Sequence, residues 1–196
     1  MISRRVGLAA ACLTLLGACA GPARQDVDSL SEVGAGETVV VGRIELVPPL
    51  RKDEQKIKAL NSGTYENRIF LLADVQYRVL VKEPVLADYN GRIEATLGKN
   101  FFVRSDRKPF FILGGVLFLD IGGSELNKAY FPGGLKVPIQ PGDRAVYIGT
   151  LKYHRNEFFE ITKVAIEDDY ERANAEFKKK FGTKNSLRKA LLTPAK

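Results

Sequence analysis

The stretch that decides the fold reads PGDRAVYIGTLKYHRNEFFEITKVAI and covers residues 141–166. Residues 141–143, Pro-Gly-Asp, are typical of a turn. Residues 144–153 then carry closely spaced apolar side chains, residues 155–156 give a second turn, and residues 158–166 form another apolar, β-branched run. Two such runs joined by a short turn predict a β-hairpin.

Short apolar runs separated by turn residues continue toward the N-terminus. The predicted strands there cover residues 38–47, 68–82, 96–104, 110–121 and 135–140, and Pro48-Pro49 closes the first of them. Every second residue from Ile69 to Val81 is apolar, a period that predicts a half-buried strand, and Asn90-Gly91 predicts a tight turn. We therefore expect a mainly β fold, an antiparallel β-sandwich or open barrel of about seven or eight strands.

One amphipathic helix is predicted after the last strand. Asp168 is placed to cap its N-terminus, Glu171 would complete a capping box, and Gly182 marks its end. Four residues share its apolar face: Tyr170, Ala173, Phe177 and Phe181. Residues 183–196 are predicted to be a basic, mobile tail.

Positive charge is concentrated at the C-terminus. Residues 176–196 carry seven basic side chains and one acidic side chain, whereas residues 19–175 carry 21 basic and 22 acidic. A nucleic-acid-binding domain needs a basic face on its folded body, so we expect no nucleic-acid partner. The basic side chains either solvate the chain end and complement the helix dipole or bind an anionic surface. The candidate surface-binding residues are Lys178, Lys179, Lys180, Lys184, Arg188 and Lys189.

The N-terminus has three parts: a basic start over residues 1–5, an apolar run over residues 6–16, and Leu16-Gly-Ala-Cys19. This order is typical of a secretory signal. The apolar run is shorter than the roughly 20 residues that a membrane-spanning helix needs.

Residues 16–19 resemble the lipobox of bacterial lipoproteins. The resemblance implies that residues 1–18 are a signal peptide, that cleavage falls between Ala18 and Cys19, and that Cys19 carries the lipid, with acyl chains such as palmitate. Two or more chains anchor a protein stably in a membrane. Because Ala20 and Gly21 follow Cys19 where Asp would favour the inner membrane, the resemblance also implies the periplasmic face of the outer membrane.

The sequence after the signal divides into three segments. Residues 19–36 are small and polar and predict a lipidated flexible tether. Residues 37–182 hold the predicted β-sandwich and its helix, and residues 183–196 the tail. Loss of Cys12 with the signal, and lipidation of Cys19, would leave no thiol for a disulfide or a metal site.

The sequence offers few catalytic groups. His154 is the one histidine; we expect it at an exposed turn, and the alternative is a general base. A zinc site needs further His or Cys ligands, and the sequence has no Gly-x-Ser-x-Gly motif. We therefore predict no catalytic, metal-binding or cofactor-binding residues.

Residues 117–124, Leu-Phe-Leu-Asp-Ile-Gly-Gly-Ser, resemble the apolar run and Asp-Thr-Gly loop of aspartic proteases. In that family the Asp shares a proton with a second Asp. Here Ile121 replaces the Thr, and a second such motif is missing from the sequence. We therefore expect Asp120 to open a glycine-rich turn.

Phenylalanine occurs in three doublets, at residues 101–102, 110–111 and 158–159. Neighbours in a strand face opposite sides, so one ring of each doublet can enter the core. The other rings are then either covered by the helix or a loop, or exposed as a patch that binds a partner or lipid.

Residues 141–149 are similar to the opening of a strand in small transthyretin-like and immunoglobulin-like domains of exported bacterial proteins. That similarity implies binding or scaffold roles more often than catalysis. The sequence thus predicts a lipid-anchored, non-catalytic binding or structural module for an envelope protein or glycan. Two alternatives stay open: a hydrophobic-ligand or lipid binder, which needs a large apolar cavity, and a carboxylate-dependent hydrolase, which needs two close carboxylates in a pocket.

Overall fold

The structure is a computed structural model that describes residues 23–24, 26–55, 66–77, 91–120 and 126–195. The predicted signal peptide, the cleavage site at Ala18 and Cys19, and the Asn90 turn position lie outside the described residues. So do residues 78–82 of the strand predicted over residues 68–82 and the loop after Asp120. Residues 75–77 are described and do not continue that strand, which ends at Asp74.

The described residues form mainly β structure with one α-helix. A short 3₁₀ helix (Leu30–Glu32) precedes the long strands. The remaining elements, in chain order, are β1 (Ala23–Arg24), β2 (Glu37–Val47), β3 (Arg68–Asp74), β4 (Arg92–Thr96), β5 (Asn100–Asp106), β6 (Phe110–Asp120), β7 (Leu126–Val137), β8 (Ala145–Arg155), β9 (Ile161–Glu167), α1 (Tyr170–Phe181), β10 (Arg188–Lys189) and β11 (Thr193–Pro194).

The strands build two sheets. Sheet A has six strands in the order β1-β4-β3-β6-β7-β11. Sheet B has the order β10-β8-β2-β5, and β9 pairs with the second half of β8. Neither order returns to its first strand, so the described strands form two open sheets and no closed barrel.

Both sheets contribute to one buried core. Sheet A supplies residues such as Ile69 and Ile112, and sheet B supplies Ile44, Leu151 and Tyr153, all fully buried. Alternate residues of each strand point to the same face of a sheet, so the apolar parity seen in the sequence produces this shared core. The predictions of a mainly β fold and of one helix are confirmed.

The number and ends of the strands differ from the prediction. The described residues hold eleven strands rather than seven or eight, because three pairings of only two residues are too short to show a hydrophobic period. The chain passes from β4 of sheet A to β5 of sheet B through a turn at Leu97-Gly98-Lys99, where the sequence had predicted a continuous strand.

Strand β7 covers Leu126–Val137 and runs through Pro132 and Gly133, whereas the sequence predicted a strand only over residues 135–140. Its neighbour β6 shifts register between Ile112 and Gly114, which makes this point a bulge. A Cβ atom on Gly133 would lie 2.1 Å from the Leu113 carbonyl carbon, so only glycine permits the close approach of the two strands.

The central pair of sheet B is parallel, not antiparallel as predicted. Val39 pairs with Ala145 and Val47 with His154, with a bulge between Val41 and Arg43. Of the strands between them in the chain, β5 pairs with the other edge of β2 in sheet B, and β3, β4, β6 and β7 belong to sheet A. Strands β2 and β8 therefore both enter sheet B from the same end.

Helix α1 packs on the outer face of sheet B. Its Ala173 and Phe177 are buried in a second cluster with residues of β2, β5 and β8, including Val41 and Tyr147. The N-cap is Asp169, one residue later than predicted, and its side chain makes no capping hydrogen bond. The predicted capping residue instead closes a turn, because the backbone amide of Tyr170 donates to the Asp168 carboxylate.

Both predicted flexible ends pack against the sheets. We call residues 26–33 the N-terminal lead and residues 183–195 the C-terminal strap. The lead buries Val27 and Val33, and the strap buries Leu187 and Leu192 and adds β10 to sheet B and β11 to sheet A. The folded region therefore begins before residue 37 and continues past residue 182, which corrects the predicted tether and mobile tail.

No helix among the described residues combines the length and the apolar character that a membrane crossing requires.

Candidate ligand-binding site

A cavity of about 440 Å³ opens at one end of the two sheets. The last residues of β2 form one wall, and the segment after β2 forms another. Asn67, just before β3, and the β4–β5 turn close the remaining sides. Its lining residues are Glu45, Leu46, Val47, Pro49, Leu50, Gln55, Asn67, Leu97 and Gly98.

The lining is mainly apolar with a few polar groups. Leucine, valine and proline side chains supply the apolar surface, while Glu45, Gln55 and Asn67 supply one carboxylate and two amides. A volume of roughly 300–1,000 Å³ with mostly apolar walls and a small number of polar groups is typical of small-molecule sites.

The segment after β2 is fixed by a buried ion pair. Its Val47–Pro48 peptide bond is cis. The Arg155 guanidinium, at the end of β8, lies 2.7 Å from one Glu54 carboxylate oxygen and donates to the other at 3.4 Å. Both side chains are less than a tenth exposed.

The remaining donors and the flat face of Arg155 are also used. Its Nε donates to the carbonyl oxygen of Pro48 and its Nη2 to that of Pro49, each at 3.1 Å. The Phe159 ring lies 4.4 Å from the guanidinium carbon. A buried charge is tolerated when its hydrogen bonds are complete. Because the partners of Arg155 are Pro48, Pro49 and Glu54, its guanidinium fixes the position of the cavity wall.

Arg51 completes this anchor. Its backbone amide donates to Glu54, and its guanidinium contacts the same carboxylate at 2.8 Å. The Gln55 side-chain amide donates to the Leu50 carbonyl. The cavity wall thus carries its own hydrogen bonds without a ligand, which makes the site preformed.

A network of charged residues lies beside the cavity on the outer face of sheet B. Glu45 is shared by Arg43 at 3.6 Å, Arg172 at 3.4 Å and Lys152 at 3.7 Å. Lys152 also contacts Glu167 at 2.6 Å, and this hydrogen bond raises the pKa of the lysine.

The network extends onto helix α1. Arg43 contacts Glu176 at 3.3 Å, and Asn100 donates to the same carboxylate. Asp169 accepts from Thr150 and from Arg172. Each of these carboxylates therefore already holds a cation, and the network joins the helix to the sheet rather than forming a close carboxylate pair.

His154 does not lie in a turn. It is a residue of β8, paired with Val47 on one side and with Lys163 of β9 on the other. The prediction was wrong because the β8–β9 hairpin turns two residues later, at Asn156, whose side chain accepts from the backbone amides of Phe158 and Glu160. Asp120 ends β6, where it pairs with Leu126; its side chain lies outside the described residues.

The six candidate basic residues divide into three exposed side chains and three that form ion pairs. Lys178, Lys179 and Lys184 are exposed. The other three are engaged in ion pairs: Lys180 with Asp28, Arg188 with Asp143, and Lys189 with Asp168.

Two of these pairs shift pKa values. Burial alone raises the pKa of Asp143, but hydrogen bonds from the Arg188 guanidinium and the Gln140 amide outweigh it and lower the pKa below the usual 3.8. The hydrogen bond between Lys189 and Asp168 lowers the pKa of the carboxylate and raises that of the lysine.

The phenylalanine doublets divide between the predicted outcomes. Phe101 and Phe102 are both buried, and the ring of Phe102 lies 5.6 Å from that of Phe181 on the helix, which confirms coverage by the helix there. Phe158 is 73 % exposed at the β8–β9 hairpin, whereas Phe159 is partly buried against the core.

Sequence reasoning missed Glu54 and Arg155. The only local signal was the Pro48-Pro49 pair that closes β2, since the two charged residues are separated by about a hundred positions and meet only after β2 and β8 pair. Within the described ranges, no three His, Cys, Asp or Glu side chains are placed to hold a metal ion.

The chain matches no protein-family model, no curated protein and no solved structure.

Proposed function

We propose that this chain is a lipid-anchored, non-catalytic binding module of the bacterial cell envelope, attached through Cys19 to the periplasmic face of the outer membrane. Its folded part is a β-sandwich, and the cavity beside Leu46, Leu50 and Leu97 receives the apolar part of a small amphipathic ligand. The observation that carries the proposal is this preformed, largely apolar cavity of about 440 Å³.

The composition of the lining favours an apolar ligand group over a sugar. Sugar sites use aromatic rings as stacking surfaces, whereas the residues that line this cavity are aliphatic or carry amides and one carboxylate. Burial of apolar area contributes about 25 cal/mol per Å², so the aliphatic walls supply affinity. The amides of Gln55 and Asn67 then orient the polar part of the ligand.

The charge network supports binding rather than hydrolysis. An acid–base pair of carboxylates needs one group held protonated in an apolar site. The cavity lining holds a single carboxylate, that of Glu45, and it lies within 3.7 Å of three cations, Arg43, Lys152 and Arg172.

The test is binding of N-phenyl-1-naphthylamine, an apolar fluorescent probe, followed by its displacement with dodecanol. Leu97→Trp places a larger side chain in the cavity, so we expect the affinity for the probe to fall by about tenfold or more, the equivalent of 1.4 kcal/mol. Leu135→Trp is the matched control, because Leu135 packs partly buried against the same core outside the cavity lining.

Two results would contradict the proposed ligand class, and a third would contradict the lipid anchor. One is equal probe binding by both variants. Another is displacement by an oligosaccharide of N-acetylglucosamine but not by dodecanol, which indicates a glycan site. The third is that the Cys19→Ala variant remains in the membrane fraction as fully as the wild-type protein does. That result removes the lipid anchor from the proposal.

A further inference from the structure

We infer that the anchored domain stands on the membrane in one orientation: the end of the sandwich that carries Tyr77 and Phe111 faces the lipid, and the cavity faces away from it. This inference rests on the proposed attachment through Cys19. It assigns a lipid-binding surface to one end of the domain.

The first argument is the length of chain between the anchor and the fold. Ala23 already pairs with Arg92 of β4, and only residues 20–22 separate it from Cys19. Four residue steps span at most about 14 Å in any conformation. The fold therefore cannot move far from the bilayer or turn freely above it.

The second argument is the direction in which β1 enters sheet A. Strand β1 runs parallel to β4, and its first residue pairs with the first residue of β4, Arg92. Arg92 also pairs with Leu72 of β3, two residues before that strand ends at Asp74. The chain thus enters the sheet from the end at which β3 finishes.

The cavity lies at the opposite end of the same strands. Strand β4 leads away from Arg92 to Thr96, and the turn that follows contributes Leu97 and Gly98 to the lining. Strand β3 begins beside Asn67, another lining residue. An anchor at the Arg92 end therefore directs the cavity toward the aqueous side.

The surface near the anchor suits a lipid interface. Tyr77 is 48 % exposed, and its ring lies 5.8 Å from that of Phe111. Tyrosine is enriched where a membrane meets water, because its ring is apolar and its hydroxyl remains hydrated.

Basic residues also lie at this end of the strands. Lys108 is exposed in the loop that leads to β6. Arg107 donates to the carbonyl oxygens of Asp143 and Pro141, and Arg144 to that of Leu30. The Asp143 carboxylate interacts with the Arg107 charge, so the exposed Lys108 supplies the positive charge that attracts anionic headgroups.

The sequence contains no tryptophan, so one introduced Trp reports its own environment. The full chain is produced in a bacterial host, purified from membranes and reconstituted in vesicles of phosphatidylcholine and phosphatidylglycerol that contain brominated acyl chains. Tyr77→Trp reports the anchor end, and Lys108→Trp is a second reporter there. Phe158→Trp is the matched control, because Phe158 follows Arg155 at the cavity end and is strongly exposed.

We expect the bromines to remove roughly half of the Tyr77→Trp or Lys108→Trp emission and less than about a tenth of the Phe158→Trp emission, because only an interfacial ring comes within reach of the acyl chains. Equal quenching at both ends, or stronger quenching of Phe158→Trp, overturns the orientation.

The mass of the N-terminal peptide separates the two proposals. An acylated Cys19 together with equal quenching leaves the anchor standing and rejects the orientation alone. A peptide without acyl groups rejects the anchor, and with it the orientation that rests on it.

Discussion

The N-terminal lead and the C-terminal strap both cover an edge of sheet B, but different contacts attach them. Each lies along an edge of sheet B, the lead beside β5 and the strap beside β8. The lead is attached mainly through its backbone: the Val27 amide donates to the Phe102 carbonyl at 2.7 Å, and the Phe102 amide donates to the Asp26 carboxylate.

The strap makes longer-range connections. Its Ala190 and Leu192 amides donate to the Tyr147 and Ile148 carbonyls of sheet B, and the Ala195 amide donates to the Gly134 carbonyl of sheet A. It therefore ties the two sheets together, whereas the lead only covers one of them.

The two segments also differ in their side-chain contacts. In the strap, Arg188 holds the buried carboxylate of Asp143 at 2.6 Å through two nitrogens, and the Tyr170 hydroxyl donates to the Leu187 carbonyl at 2.6 Å. In the lead, Asp28 pairs with Lys180 at 3.0 Å, and the Asp28 side chain is 86 % exposed. We conclude that the strap stabilises the fold, whereas the lead mainly covers the edge strand β5.

The largest expected effect is that of removing the strap. Deletion of residues 183–196 exposes the core next to Leu187 and Leu192 and leaves Asp143 buried without its cation. We expect the free energy of unfolding to fall by about 4 kcal/mol, because large cavities and unpaired buried charges each cost several kcal/mol. Urea unfolding measures this free energy. If deletion of residues 20–33 lowered it more than deletion of the strap does, the comparison would be reversed.

A matched pair of single substitutions tests the same difference. Leu192→Ala in the strap removes a buried leucine and is expected to cost about 3 kcal/mol. Val27→Ala in the lead removes a smaller side chain and is expected to cost about 1 to 2 kcal/mol. Both sites are almost fully buried, so equal losses in thermal unfolding would mean that the two segments are equally integral.

The ion pair gives the strap a pH dependence that the lead lacks. Asp143→Asn is expected to cost about 2 kcal/mol at pH 7, the usual contribution of hydrogen bonds to a charged group. Because the folded-state pKa of Asp143 lies below 3.8, the wild-type advantage is complete above that value. It is lost as the pH falls through the folded-state pKa.

Urea unfolding of wild type and Asp143→Asn at several pH values from 7 down to about 3 checks this dependence. A difference in stability that persists unchanged at the acidic end would show that packing, and not the charge of Asp143, holds the strap.

The smallest effect is expected for lysines that make no strap contact. Lys178→Gln with Lys179→Gln should change the free energy of unfolding by less than about 0.5 kcal/mol, since both side chains are exposed. Arg188→Gln is the contrasting variant and should cost about as much as Asp143→Asn. If the two variants lost similar amounts of unfolding free energy, the exposed lysines would contribute to stability as much as Arg188 does.

Local pattern predicted the parts of this protein that depend on near neighbours. The strand that begins at residue 68, the turn at residues 141–143 and the helix end at Gly182 are found, because strand-forming runs, turn residues and caps act over a few positions. The predicted half-buried alternation is not, since Ile69 to Ala73 are all buried. The lead and strap were misjudged because Val27, Leu187 and Leu192 have no periodic apolar neighbours. Their burial depends on sheets built from distant residues.

The candidate site shows the same limit. Pro48-Pro49 indicated where β2 ends, but the sequence contained no sign that Arg155 would bind the segment that follows. The ion pair forms only after β2 and β8 pair in parallel, a choice that depends on which strands go to the other sheet.

By itself, then, the sequence determined a β-rich chain with one helix and, through residues 16–19, the expectation of a lipid anchor. Tertiary structure alone decided the parallel pair at the centre of sheet B, the strap across the two sheets and the cavity beside Leu97. The reason is physical: side-chain periodicity records which face of an element is buried, whereas pairing partners and cavities arise from contacts between residues far apart in the chain.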